Sequence, residues 1–161
     1  MARDLTIEEI MAILRTTVPA LGELTGGVAA RRLQTPPDEG WSVNDVLAHL
    51  RACHDVLGGS MLRILREDHP AWKGMNPRTW IKHTDYPEWK FGPAFEAFRT
   101  QRAELLVVLE PLPHAAWERT ATVTGMVGDV YERSARYYGD WMARHERGHV
   151  KHIDRILKAV A

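Results

Sequence analysis

Gly40-Trp41-Ser42-Val43-Asn44-Asp45-Val46-Leu47-Ala48-His49-Leu50-Arg51-Ala52-Cys53 is the stretch whose reading decides the fold. Ser42 stands where a helix N-cap is needed, and Asp45, three residues on, reads as the return half of a capping box. Val43, Val46, Leu47, Leu50, Cys53, Leu57, Met61, Leu62 and Leu65 then recur at helical spacing. This predicts a second helix over about 43–67, on the order of 37 Å long at about 1.5 Å per residue. Gly58-Gly59 in its middle leaves room for a neighbouring backbone to approach. His49 sits on the apolar face of this helix, between Val46 and Cys53.

Working outward, Thr6 and Glu9 form a second capping-box pattern, followed by Ile7, Ile10, Met11, Leu14 and Val18 at helical spacing. Pro19 predicts a break or kink of this first helix near 16–19, with resumption to about Gly26. A third helix starts near Pro93, carries Phe95, Phe98, Leu105, Leu106 and Leu109 on one face, and stops at Pro111 and Pro113. A fourth is expected from about Met126 to Leu157, through Val130, Ser134, Tyr137, Tyr138, Trp141, His145, His149, His152 and Ile156. Between the second and third helices, residues 68–92 hold Pro70, Pro77 and Pro87 among Trp72, Trp80, Tyr86, Trp89 and Phe91. That many aromatics predict an ordered covering segment with short helical turns rather than disorder. Residues 114–125 are a further connection, with a helical turn at His114–Glu118, and only Thr120–Thr124 alternates enough to make a strand. Four long helices and almost no strand predict an all-α four-helix bundle, with 1–161 as a single domain.

Composition narrows the function. Lys+Arg and Asp+Glu are both 21, giving zero net charge and excluding a generic basic nucleic-acid binder or an acidic-tail protein. The one cysteine, Cys53, cannot form an internal disulfide and suits a reducing compartment. No apolar run approaches the roughly 18 residues of a membrane span, and the N-terminal residues lack a signal-peptide pattern. The expected location is the cytoplasm. What stands out is 8 His and 6 Trp in 161 residues.

His145 and His149 are four apart on the fourth helix, so their side chains stack one turn apart on one face. If the second and fourth helices pack together, His49 completes a three-histidine set. Such a set leaves coordination positions open, as catalytic metal sites do. The bland alternatives are surface coincidence for the pair and a satisfied core histidine for His49. His145-Glu146-Arg147-Gly148-His149 also spells H-E-x-x-H, in which Glu146 would be a general base. The context speaks against a zinc protease: 12 residues follow His149, too few for the usual downstream ligand, and no upstream sheet offers an edge for a peptide. His54 and His152 are candidates for the surroundings of a metal, together with Glu146. His69, His83 and His114 read as solvated loop residues, and Cys53 as packing.

Gly40-Trp41-Ser42-Val43, Ala48-His49-Leu50 and the closing His145-Glu146-x-x-His149-x-x-x-Ile153 together resemble the DinB-like (YfiT-like) metalloenzyme superfamily. The likeness runs from about residue 10 to 157. It includes the Arg63-x-x-x-Arg66-Glu67-Asp68-x-Pro70 exit from the second helix. It implies a four-helix bundle with His49, His145 and His149 as ligands to zinc or nickel. It also implies kinship with metal-dependent transferases and isomerases that use low-molecular-weight thiols. His54 stands where an acidic residue is frequent in that family, and His152 where Gln is frequent. The leading expectation is therefore a metal-dependent enzyme that joins a cellular thiol to a small electrophile, with His152 or His54 relaying the proton. Its rivals are a metal-dependent hydrolase and a non-catalytic, ligand-binding member. Residues 68–92 would roof the pocket, or else cover the bundle or a homodimer face.

Overall fold

The computed structural model describes residues 2–160. Its elements in chain order are α1 (Ile7–Thr25), α2 (Ala30–Gln34), α3 (Val43–Cys53), a π-helical turn (His54–Gly58), α4 (Gly59–Arg66) and β1 (Ala71–Lys73). Then come α5 (Pro77–Trp80), the 3-10 turns Ile81–His83 and Tyr86–Glu88, α6 (Phe91–Leu109), α7 (His114–Trp117), β2 (Thr120–Thr124), β3 (Val130–Ser134) and α8 (Ala135–Ala159). α3, the π turn and α4 continue one another, so the expected second helix exists with one wide turn inside it.

The bundle is mostly helical, as the apolar periodicities require. α1 packs on α6 and α8, and α3 packs on those same two helices. α1 therefore lies diagonally opposite α3, and α6 opposite α8. The chain crosses the bundle between α1 and α3 and again between α6 and α8. Those two crossings hold α2 and the β2–β3 hairpin. Both capping boxes form as read: Thr6 with Glu9, and Ser42 with Asp45.

Three expectations need correction. Helix α1 runs unbroken through Pro19. Its apolar side, Ile10, Leu14 and Leu21, is buried against the bundle, and that packing outweighs the lost backbone hydrogen bond. The fourth helix starts at Ala135, not Met126. Gly128 has φ +84, a left-handed turn conformation that reverses the chain, so 130–134 returns as a strand antiparallel to β2. Ser134 is the real N-cap, its Oγ accepting the Tyr137 N–H at 3.0 Å. Thr120–Thr124 is a strand as expected, but it is the centre of a small sheet ordered β1-β2-β3, with β1 parallel to β2.

The core divides into two apolar clusters. One gathers Ile10, Leu14, Met61, Leu105, Trp117 and Met142; the other gathers Leu21, Val46, Leu47, Phe98 and Ile153. Between them along α6 and α8 sit Arg102 and Glu146, each side chain only 2% exposed. Arg102 Nη1 donates to Glu146 Oε1 and to the Leu14 carbonyl, both at 2.9 Å, and its Nη2 donates to Glu146 Oε2. Its Nε donates to His54 Nε2 at 3.4 Å. One polar layer thus joins α6, α8, α1 and the π turn at the centre of the bundle.

Candidate metal centre

α3 and α8 pack side by side, and this brings His49 to His145 and His149. His145 Nε2 lies 3.1 Å from His49 Nε2 and 3.1 Å from His149 Nε2. One ligand atom from each of the three lies within 4.8 Å of the others. An imidazole nitrogen has one in-plane proton or one lone pair, so His145 Nε2 cannot make good hydrogen bonds to both neighbours. A single cation accepts all three lone pairs at once. Metal–nitrogen bonds of about 2.0–2.1 Å at a tetrahedral angle separate the nitrogens by about 3.3–3.4 Å, close to the spacing found.

The electrostatics suit the same purpose. Burial, with help from the His145 and Arg78 charges, pushes His49 down to about 4. Burial and the neighbouring His145, His49, His152 and Arg78 push His149 down to about 3. His145 is also lowered, chiefly by burial. At neutral pH all three rings are uncharged and carry free lone pairs, the form a metal requires.

The flanking groups divide. His152 Nδ1 lies 3.3 Å from His149 Nδ1, so one of the two donates to the other. If His149 is the donor, its Nε2 is left as an acceptor facing the cluster, which is how a neighbouring group fixes a ligand tautomer. Trp41 backs the cluster: its ring stacks on His149 at 6.3 Å and 11° and lies 5.1 Å from His49. Cys53 Sγ is 3.6 Å from His49 Nε2, but burial pushes its thiol up to about 12, so it packs as a neutral group.

Glu146 and His54 lie elsewhere than the spacing suggested. Neighbouring residues on a helix point about 100° apart. When His145 and His149 face α3, Glu146 therefore turns into the bundle. Both its oxygens accept from Arg102, and His54 accepts from Arg102 as well. This is not the disposition of an H-E-x-x-H general base. His69, His83 and His114 are exposed, as expected.

Residues that sequence reading missed hold the covering segment in position. Asp55, in the π turn, accepts from Trp80 Nε1 (3.0 Å), Tyr86 Oη (2.6 Å) and Gln101 Nε2 (2.5 Å). The Arg51 guanidinium lies 3.8 Å from the Tyr86 ring centre and 4.4 Å from that of Trp89. Segment 77–89 is thereby fixed to α3. Beside it opens a cleft of about 450 Å³ lined by Trp41, Asp45, Ala48, His49, Arg78, Ile81 and Pro87. A visible signal existed for Arg102, a charge on the otherwise apolar stripe of Phe98, Leu105 and Leu109.

Fold and site define a helical bundle that presents three convergent imidazoles from two of its helices. The chain belongs to the DinB superfamily, whose pattern it matches over residues 12–153. Among solved structures it is similar to YfiT from Bacillus subtilis, described as "a probable metal-dependent hydrolase with an unusual four-helix bundle topology". The two share 17% identity with a TM-score of 0.75, over 98% of this chain and 91% of that one, a likeness of fold. No curated protein matches. Among the described residues, no helix is long and apolar enough to cross a membrane.

Proposed function

We propose that this protein is a divalent-metal-dependent enzyme, with His49, His145 and His149 as ligands to zinc or nickel, that transfers a low-molecular-weight thiol to a small electrophile. The observation that carries the metal reading is the meeting of three neutral imidazoles, with His145 Nε2 3.1 Å from both His49 Nε2 and His149 Nε2. A divalent ion held by three imidazoles keeps positions open and, as a Lewis acid, acidifies a small nucleophile bound there.

The chain's own groups favour a thiol as that nucleophile. Water, with a pKa of about 15.7, has far to fall before it ionises, whereas a thiol starts near 8.5. A hydrolase therefore benefits from a carboxylate base at the site. Glu146 is held by Arg102, and Asp45 accepts the Ser42 N–H of its own cap at 2.9 Å. A thiol needs less help. In the transfer, sulfur forms a bond to carbon: a halide departs with the bonding electron pair and the thiol proton goes to solvent, whereas an opened epoxide oxygen or the far carbon of an activated alkene takes up that proton and nothing departs. His152 orients His149, and Trp41 and the fixed segment 77–89 limit water around the reacting groups. Hydrolysis is the second reading, favoured by the fold shared with YfiT.

Elemental analysis is the first test. About one zinc or nickel per chain is expected, lost in His149→Ala. The metal-loaded protein then meets a panel of cellular thiols with epoxide, halide and activated-alkene acceptors, and separately a panel of esters and amides. Thiol-dependent product formation abolished by His145→Ala supports the transferase. Hydrolysis without thiol dependence overturns it.

A further inference from the structure

Most arginines with fixed guanidinium groups in this protein have an identifiable partner. Arg3, Arg15, Arg63, Arg102 and Arg144 pair with carboxylates, and Arg119 donates to backbone carbonyls. Like Arg51 and Arg133, Arg78 has no such partner among the described residues and lies near an aromatic ring, but of the three only Arg78 lines the cleft beside His49. Its backbone is held firmly. The Arg78 N–H donates to Asn76 Oδ1 at 2.9 Å, Pro77 before it is buried, and Trp80 two residues on is tied to Asp55. Its guanidinium, among the described residues, makes neither an ion pair nor a hydrogen bond. It lies 5.5 Å from the centre of the Trp41 ring, the same ring that backs His49 and His149. It lines the cleft onto which His49 opens.

The cleft lining carries one cation, Arg78, and one carboxylate, Asp45, with no ion pair between them. The one carboxylate in its lining, Asp45, gives an oxygen to the α3 cap. Glu146, behind His145, is neutralised by Arg102. A guanidinium near an aromatic face, with its donors unspent and a cleft in front of it, matches an oxyanion that can take two parallel N–H donors.

We propose that Arg78 is a specificity-determining residue that anchors a carboxylate or phosphate group of the substrate, so that the natural substrate of this cleft is a small anion. The inference rests on the cleft being the substrate site of the metal-dependent reaction above. Arg78 is exposed, so replacing it should leave the fold intact.

Three probes test this by calorimetry: benzoate, phenyl phosphate and the neutral benzamide. Each is titrated into wild type, Arg78→Gln and Arg78→Lys, with zinc and without. Zinc stoichiometry is measured for each protein alongside. At least one anion is expected to bind wild type tenfold or more tightly than benzamide. Arg78→Gln should abolish that preference with zinc stoichiometry unchanged, and Arg78→Lys should keep part of it. Benzoate and phenyl phosphate separate the carboxylate from the phosphate. The proposal is overturned if Arg78→Gln binds the anions as wild type does, or if wild type binds neither anion better than benzamide. If wild type takes up no zinc, the metal reading falls, and the zinc-free titrations still decide the role of Arg78.

Discussion

Changing Glu146 to Gln separates two opposed readings of one residue. As the glutamate of an H-E-x-x-H base, it would be needed for chemistry and dispensable for stability. In the structure it is the partner of a fully buried guanidinium. Glu146→Gln keeps the shape and one acceptor but removes the charge, leaving Arg102 with His54 and the Leu14 carbonyl as partners. Breaking a buried ion pair from one side costs about 3–5 kcal/mol. The retained amide acceptor puts this variant near the lower end. For a chain of this size 1 kcal/mol moves Tm by about 2–4 °C, so a fall of about 6–12 °C is expected. The measurement is thermal and urea unfolding in a chelator, so that no metal contributes, followed by zinc stoichiometry of the refolded variant. Zinc uptake should survive. The double variant Arg102→Met/Glu146→Met, which removes both charges, should regain at least half of the loss. A Glu146→Gln protein as stable as wild type but inactive would refute the reasoning and return Glu146 to the chemistry.

Other outcomes follow from other parts of the molecule. Zinc at about 100 times its Kd should stabilise wild type by about 2.7 kcal/mol in thermal scans, and should shift His49→Ala or His149→Ala little or not at all. The metal-free protein should lose stability on acidification. His54 is pushed down to about 3 by burial and by Arg102, below its unfolded value near 6.5. The unfolded chain therefore binds the extra proton first, so the contribution is complete above about pH 6.5 and drains away toward pH 3. Urea unfolding at pH 7 and pH 5 checks this, and His54→Gln should flatten the slope. Asp55→Ala removes the acceptor of three hydrogen bonds and should expose segment 77–89, read as faster cleavage there in limited proteolysis at native temperature. Gly139→Ala brings a Cβ within 3.1 Å of Trp117 and 3.3 Å of Ile10 and Met61, and should cost about 1–3 kcal/mol in urea unfolding.

The helices and the three-histidine cluster were legible because both depend on short-range spacing. Ser42 with Asp45 fixes where α3 begins, and a four-residue interval fixes His145 and His149 on one face. His49 followed once two amphipathic faces had to meet. The small sheet was not legible. β1 is three residues long and pairs with a partner some fifty residues away, while β3 is exposed over most of its length and shows no alternation. Val130, Ser134 and Tyr137 happen to follow helical intervals, and Gly128 was the signal that should have outweighed them. The role of Glu146 was hidden by its motif. A local pattern names neighbours along the chain, and its actual partner, Arg102, comes from the diagonally opposite helix. Asp55 and Arg78 act through the folded covering segment, whose path no periodicity encodes.

The π turn has a consequence for how this protein tolerates length changes. It works as a phase adapter, because a wide i→i+5 turn takes up one extra residue while the helix downstream keeps the phase of a chain one residue shorter. Upstream of it, α3 aims His49 and Cys53 toward α8. Within it, one wide turn sends His54 inward to Arg102 and Asp55 outward to Trp80 and Tyr86. A Cβ on Gly58 would come within 2.9 Å of His54 Nδ1, so the adapter is closed around that ring. Deleting one residue here would restore a regular helix and leave Met61 and Ile64 facing the core, whereas a deletion in the α-helical turns on either side would swing them about 100° relative to His49. A one-residue deletion that would break the register elsewhere in this helix is thus absorbed at 54–58, where the wide turn keeps the phase of the metal face matched to that of the hydrophobic core.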